Sequence, residues 1–371
     1  MTKHKARRLG IAIHGAGWVA GAHAASWLKN PHARIVSISD VRRDRAEQLA
    51  GRLGLRCAVR DDYEEVLCDD RVDVVDLCGP SHVHAQQGIA AAEAGKHVLV
   101  EKPIALSMEE NRALRDAVAR AGVKSLAGFV LRWNPAVQSI KSLVSSGAIG
   151  RPFFIEIDYW HGLGPTHHAW DLHSRKKTGG SAMLLGGCHA VDAMRWLTGA
   201  EVVEVTAVAN NPKGLFEYDA NVVAAMKFAG GTIGKTSALF DCEMPYSLNI
   251  DLAGTEGTIR DNRLWSKRLF PAAGKGVRTH LCEAPFGPFR QMSPDPFPFS
   301  ATGWTTIPTI LPTTADVSHH PFDAEINHFV ECMREGRESH CNIADAYRTH
   351  ELCLAIDRSI AEGGRPVRLP L

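Results

Sequence analysis

Short apolar runs alternate with longer amphipathic segments over the first third of the chain. Leu9–His14, Arg34–Ser39, Val72–Cys78, Lys96–Val100 and Val123–Phe129 cluster their apolar residues as strands covered on both faces do. Between them lie helix-patterned segments: a small-residue stretch ending near Asn30-Pro31, then Arg42–Leu53, Ser81–Glu93 and Met108–Arg120, with stops at Gly95 and Gly122. Ser81 is the expected N-cap of its helix. This alternation predicts an α/β unit, a doubly wound parallel sheet, over residues 1–130.

Beyond Arg132-Trp133-Asn134-Pro135 the pattern changes. A helix, Ala136–Ser146, and a strand, Phe153–Trp160, precede one helix-like segment over Ser181–Leu197. Val202–Ala209, Asn221–Phe228, Thr232–Phe240, Ser247–Leu252 and Thr258–Arg260 then read as strands with no helices between them. Residues 131–371 are therefore expected to form an α+β domain built on an antiparallel sheet. Residues 270–320 are proline-rich and aperiodic, the mark of a functional flap or an interface arm. Phe322–Glu335 and Ile343–Glu362 are the closing helices.

Composition narrows the classes of function. A chain of 371 residues suffices for two cores. The formal net charge of +1, 42 basic against 41 acidic residues, supplies no field to recruit nucleic acid or an acidic membrane. No apolar run approaches the length of a membrane span. The nine cysteines are scattered without paired spacing, so reduced thiols and a cytoplasmic location are expected. Lys3, Lys5, Arg7 and Arg8 ahead of small apolar residues resemble an export signal superficially. His14, Gly15, Gly17, Gly21 and His23 interrupt that stretch, which reads instead as strand, turn and helix.

The candidate chemistry sits at strand ends. Gly15-Ala16-Gly17-Trp18-Val19-Ala20 follows the first strand and opens a helix, as in dinucleotide-binding turns. The first glycine allows the tight turn, the second admits a pyrophosphate, and the third position needs only a small residue. Asp40 ends the second strand, where an acid bonds ribose hydroxyls and repels a 2′-phosphate; Arg42 and Arg43 follow, suited to that phosphate. NAD is the expected cofactor, with NADP as the alternative. The strand ending in Val100 delivers Glu101-Lys102-Pro103. A lysine there reaches a bound substrate, and burial or a neighbouring positive charge favours its neutral form.

These motifs occur in an order that resembles the glucose–fructose oxidoreductase/inositol dehydrogenase/MocA (Gfo/Idh/MocA) family. The likeness rests on the glycine turn, Pro80–His84, Ala94 through Pro103, Arg132-x-Asn134-Pro135, Gly179-Gly180 through His189, and Gly254-Thr255-Glu256-Gly257. It implies a Rossmann domain and a C-terminal domain with a large, mostly antiparallel open sheet. It implies an NAD(P)-dependent oxidoreductase of a sugar, glycoside or cyclitol, paired through that sheet as a homodimer or homotetramer. Lys102 and His189 match the family's catalytic lysine and histidine. Cofactor contacts are expected from Gly15, Gly17, Trp18, Val19, Asp40, Arg42, Gly79, Pro80, Ser81, His84, Glu101, Lys102 and Arg132. One departure stands out: the family's aspartate position, one helical turn before His189, is Leu185. Asp192 reads as structural.

Substrate contacts are expected from Lys102, Leu185 and His189, and from Tyr159-Trp160-His161 and His167 through His173. In those two stretches Trp160 and Trp170 offer apolar faces to sugar rings, while His161, Asp171 and His173 offer hydrogen bonds. Asp171 or His173 is a candidate to replace the missing carboxylate. The spacing of His161, His167, His168 and His173 matches no recognised metal ligand set, and no metal is expected. Two other functions fit the same motifs: a redox-neutral sugar-modifying enzyme that oxidises a carbon transiently, and a non-catalytic dinucleotide-binding sensor.

Overall fold

The structure is a computed structural model that describes residues 7–269, 305–307 and 320–371. The stretch expected to form a flap or arm lies almost wholly outside them. Strands β1 (Leu9–His14), β2 (Ala33–Ser39), β3 (Ala58–Arg60), β4 (Val74–Leu77), β5 (His97–Val100) and β6 (Ser125–Ala127) form a parallel sheet in the order β3-β2-β1-β4-β5-β6. Helices α1 (Trp18–Lys29), α2 (Arg43–Arg52), α3 (Tyr63–Leu67), α4 (Ser81–Glu93) and α5 (Met108–Ala121) connect them. Strand order reverses between β1 and β4, which opens a crevice at their carboxyl ends. β3 and α3 escaped the pattern because they span only three and five residues. Ser81 is the first residue of α4 rather than its cap; Pro80 holds the cap position and makes no side-chain bond.

The second half contains a short 3-10 turn, Val130–Trp133, then α6 (Pro135–Ser145), β7 (Pro152–Trp160), α7 (Trp170–His173) and α8 (Lys176–Gly179). A π turn, Met183–Gly187, leads into α9 (Cys188–Thr198). Strands β8 (Val202–Asn210), β9 (Asn221–Phe228), β10 (Ile233–Leu239), β11 (Ser247–Gly254), β12 (Gly257–Arg260), β13 (Arg263–Ser266) and β14 (Thr305–Thr306) follow, then α10 (Phe322–Glu335), α11 (Ile343–Ala361) and β15 (Val367–Arg368). The nine-stranded sheet runs β14-β13-β12-β11-β7-β10-β9-β8-β15 and is antiparallel except where β7 meets β10. Ile155, Ile157 and Tyr159 face the helices on one side. Glu156, Asp158 and Trp160 face the other.

The single helix expected over Ser181–Leu197 is interrupted. A Cβ at Gly186 would lie 2.5 Å from the Tyr159 ring, and one at Gly187 would lie 2.8 Å from Met183 Sδ. The two glycines let the wide turn press against β7. Hydrophobic spacing cannot separate one π turn from an α turn.

The last two helices lean on the first sheet as well as the second. Asp323 on α10 accepts from Ser26 Oγ at 2.6 Å and from Lys29 Nζ at 2.7 Å. His350 Nε2 on α11 accepts from Ile104 N at 2.9 Å. The packing of α10 on α1 encloses a polar knot. His23 Nδ1 lies 3.0 Å from Asp76, His23 Nε2 lies 3.1 Å from Glu101, and Trp27 Nε1 donates to Asp76 at 2.7 Å. Burial opposes a charge on His23, but Asp76 and Cys78 outweigh it and raise its pKa well above the usual histidine range.

Glu325 on α10 is fully buried beside this knot, and its carboxyl oxygens have no hydrogen-bond partner among the described residues. Burial and the charge of Glu101 push its pKa well above the carboxylate range, against the pull of His23. The folded protein therefore keeps a proton that the unfolded chain releases near the ordinary glutamate value. Stability is lost as pH rises above that value, and the cost vanishes below it. Glu325→Gln is expected to raise the melting temperature at about pH 8 by about 2 °C or more, and to leave it unchanged at about pH 4. Calorimetry at both values checks this; an equal or lower melting temperature at the higher pH would contradict it.

Candidate active site

The crevice begins where β1 and β4 part. Gly15 has φ of +92°, and a Cβ there would lie 2.5 Å from Gly79 N, so only glycine fits. Gly17 is the N-cap residue of α1 and has no side-chain cap; a Cβ there would meet nothing within 4 Å. The first turn of α1 holds no acidic residue. Free N–H groups, the positive end of the helix dipole and an open approach fit the pyrophosphate of a dinucleotide. Val19 packs into the core, and Trp18 stands half exposed at the mouth, its ring 5.7 Å from that of His168.

The side chains of three expected cofactor contacts are engaged within the protein. The His84 ring is buried between the carbonyls of Gly79 (2.9 Å) and Pro103 (2.8 Å), so it ties the turn after β4 to the segment after Lys102. Glu101 is buried; one oxygen meets His23 and the other accepts from Lys102 N at 3.1 Å. Arg132 is buried too, with Nε and Nη2 on the two oxygens of Asp192 at 2.7 and 2.6 Å and Nη1 on the carbonyl of His340 at 2.6 Å. These side chains build the walls of the crevice. Their donors and acceptors are already committed, and Asp192 is structural as expected.

Lys102 leaves the end of β5 and donates from Nζ to the main-chain carbonyl of Leu185 at 3.0 Å. Leu185 lies in the π turn with its side chain buried. The carboxylate missing at this position is thus replaced, next to Lys102, by a peptide oxygen carrying a partial negative charge. His189 sits in the first turn of α9, buried, with its ring stacked 6.1 Å from Tyr159 and edge-on to Phe129 at 6.1 Å. The fold therefore brings Lys102 and the His189 turn to one place.

On the substrate side Trp160 is a further correction. Its Nε1 donates to Ser237 at 2.8 Å on the open sheet face, because neighbouring strand residues point to opposite faces. Tyr159 points inward instead, with its hydroxyl 3.3 Å from His161 Nδ1. Trp170 spends its ring on an edge contact with Phe216, 4.9 Å away. His167 stands 6.4 Å from His161, 4.2 Å from His168 and 5.2 Å from His173, ring to ring. Burial first, then His168, His161 and Lys102, lower the pKa of His167 to about 4. Burial, Lys102 and the neighbouring imidazoles lower that of His173 to about 3. Asp171 is exposed. Two residues absent from the sequence reading join the site: Tyr246, 5.1 Å from the Tyr159 ring, and His320, 6.1 Å from His189. His320 ends an aperiodic stretch and carried no signal; Tyr246 precedes β11 in a turn.

Comparison with known proteins agrees with this geometry. Residues 9–129 match the family described as oxidoreductase family, NAD-binding Rossmann fold, and residues 137–260 match the GFO/IDH/MocA C-terminal domain. The chain belongs to the Gfo/Idh/MocA family. It is 29% identical to scyllo-inositol 2-dehydrogenase (NAD(+)) of Bacillus subtilis over 96% of this chain and 95% of that one. It is 28% identical to levoglucosan dehydrogenase of Pseudarthrobacter phenanthrenivorans over 68% of this chain and 73% of that one. A solved levoglucosan dehydrogenase in complex with NADH and levoglucosan superposes with a TM-score of 0.80 at 25% identity, covering 98% of this chain and all of that one.

This Gfo/Idh/MocA protein is an NAD-dependent oxidoreductase, and its turn chemistry agrees with that cofactor. Asp40 accepts from Ala16 N and from Arg42 N, each at 2.8 Å, so its carboxylate is fixed at the end of β2 beside the glycine turn. Arg42 pairs with Asp44 at 3.0 Å and Arg43 with Glu47 at 3.1 Å, both in the open. Exposed pairs of this kind are weak, so Asp40 is the residue whose charge is expected to oppose a 2′-phosphate. Asp40→Ser is expected to raise the NADP-to-NAD ratio of kcat/KM about tenfold, with a further few-fold gain on adding Asp44→Asn. Steady-state kinetics with both cofactors checks this; an unchanged ratio would remove Asp40 as the selector.

Proposed function

We propose that this protein oxidises a secondary alcohol carbon of a sugar, glycoside or cyclitol, with Lys102 and His189 handling the hydroxyl proton. The observation that carries the reading is Lys102 Nζ, set past the carboxyl end of a central strand and aimed across the crevice at the turn before His189. The sugar and cyclitol dehydrogenases among its relatives support the substrate class.

NAD held at the Gly15–Gly17 turn would supply the hydride acceptor. Oxidation of the carbinol leaves an oxygen whose proton must go to a base within hydrogen-bond reach. Lys102 is the candidate to take that proton at Nζ, which the Leu185 carbonyl holds in place. His189, fixed by Tyr159 and Phe129, is placed to hold the same hydroxyl or accept its proton. Tyr159 and His161 line the approach.

We also propose a division into residues 1–130, which hold the cofactor, and 131–371, which hold substrate and mediate oligomerisation. The open face of the second sheet exposes Val208, Val223 and Ile233 beside ion pairs such as Lys227–Glu204. That apolar content suits a homodimer or homotetramer contact.

Lys102→Met is expected to abolish turnover, a loss of at least about a thousandfold in kcat, while NAD affinity stays within a few-fold. A sugar and cyclitol panel read by nicotinamide absorbance checks this, and full activity in the variant would refute the assignment. Ile233→Asp is expected to lower the mass seen by light scattering to that of a monomer; an unchanged mass would exclude this face as the contact.

A further inference from the structure

We propose that the substrate carries an anionic group, a carboxylate or a phosphate, held by the imidazoles of His167 and His173 beside Lys102. This deepens the reading of a sugar or cyclitol dehydrogenase and rests on it.

Four observations converge. First, His167 lies within 6.4 Å, ring to ring, of His161, His168 and His173, so four imidazoles share one corner of the crevice. Second, among the described residues the charged groups acting on His167 and His173 are Lys102 and other imidazoles, with no carboxylate among them. Third, His173 Nδ1 is buried without a hydrogen-bond partner among the described residues. Fourth, position 185 offers Lys102 a carbonyl where the family pattern offers a carboxylate. The nearby acids among the described residues are turned to other tasks. Asp171 on α7 is exposed, Glu217 accepts from Lys176 N, and Glu101 faces His23.

A polyol alone gives no reason to exclude acids, because its hydroxyls need acceptors as much as donors. A corner of imidazoles beside Lys102, with no carboxylate facing it among the described residues, suits an anion. In the free protein, burial and mutual repulsion keep the rings neutral, with His167 at about 4 and His173 at about 3. A bound anion offsets Lys102 and draws protons onto the rings, converting neutral contacts into charge-assisted ones. Binding therefore takes up protons and tightens as pH falls. Asp171, Lys102, His161 and His168 are the other titratable groups around this corner; Asp171 is exposed, so a bound anion adds the negative charge that faces the buried rings directly.

Trp18 stands 5.7 Å from His168, so the cofactor pyrophosphate is a second anion within range of the cluster. The test separates the two. The NAD-loaded protein is titrated calorimetrically with glucuronate, gluconate and glucose 6-phosphate, and with glucose and myo-inositol, in buffers of different ionisation enthalpy between about pH 6 and 8. Expected are at least about tenfold tighter binding of an acid than of its neutral counterpart at the lower pH, and proton uptake with the acid. His173→Asn and His167→Asn are expected to lower the acid-to-neutral affinity ratio about tenfold while NAD affinity stays within about twofold. Tighter uronate or aldonate binding assigns a carboxylate, and tighter hexose phosphate binding assigns a phosphate. Acids binding no better than neutral sugars would overturn the proposal, as would a tenfold loss of NAD affinity in the His173 variant, which would give the cluster to the pyrophosphate. Calorimetry needs no turnover. Acid binding with proton uptake but no hydride transfer would therefore keep this proposal and refute the dehydrogenase reading instead.

Discussion

The hydrogen bond from Lys102 Nζ to the carbonyl of Leu185 depends on both halves of the molecule being in place. One partner arrives on a parallel strand of the first sheet. The other arrives on a widened helical turn that leans on the second sheet. Neither has a site of its own: a lysine at a strand end is a solvated charge until something faces it, and a π turn is a local defect until something uses its carbonyl. Their meeting closes one end of the crevice, with the glycine turn at the other.

Much of the surrounding polarity serves to hold these parts rather than to touch ligands. Arg132 joins the 3-10 turn to α9 and to the segment before α11 through Asp192 and His340. His84 fastens the loop after β4 to the loop after β5. His23, Asp76 and Glu101 form a buried knot that reaches the peptide of Lys102. Buried charges of this kind are costly unless fully paired, and they define geometry more surely than they add stability. They explain why residues beside a cofactor motif in sequence need not touch the cofactor.

Legibility in the sequence followed length and period. Five of the six parallel strands and four of their five helices could be read from apolar runs and stop signals, because strands covered on both faces leave few choices of residue. β3 fell below the length at which a pattern exists. The switch from alternating strands and helices to consecutive strands marked the second sheet, although not the parallel pairing of β7 with β10 that places Tyr159 against α9. The positions of Lys102, His189, the glycine turn and Asp40 were legible because each stands at a strand or helix end. Trp160 was misread because its own register on β7, not its residue type, decides the face it occupies.

The sequence alone determined the order of elements, the dinucleotide turn, the lysine at the end of β5 and the loss of a carboxylate at position 185. Those features are local: they depend on φ of one glycine, on a run of apolar side chains, or on the identity of one residue. The tertiary structure decided what compensates for the loss. A main-chain carbonyl is the same in every residue type, so no sequence pattern could mark that of Leu185 as the partner of Lys102. The gathering of His161, His167, His168 and His173 in one corner also depends on how the segment between β7 and α8 folds. Burial and mutual repulsion among those rings arise only once chain segments distant from Lys102 are packed beside it.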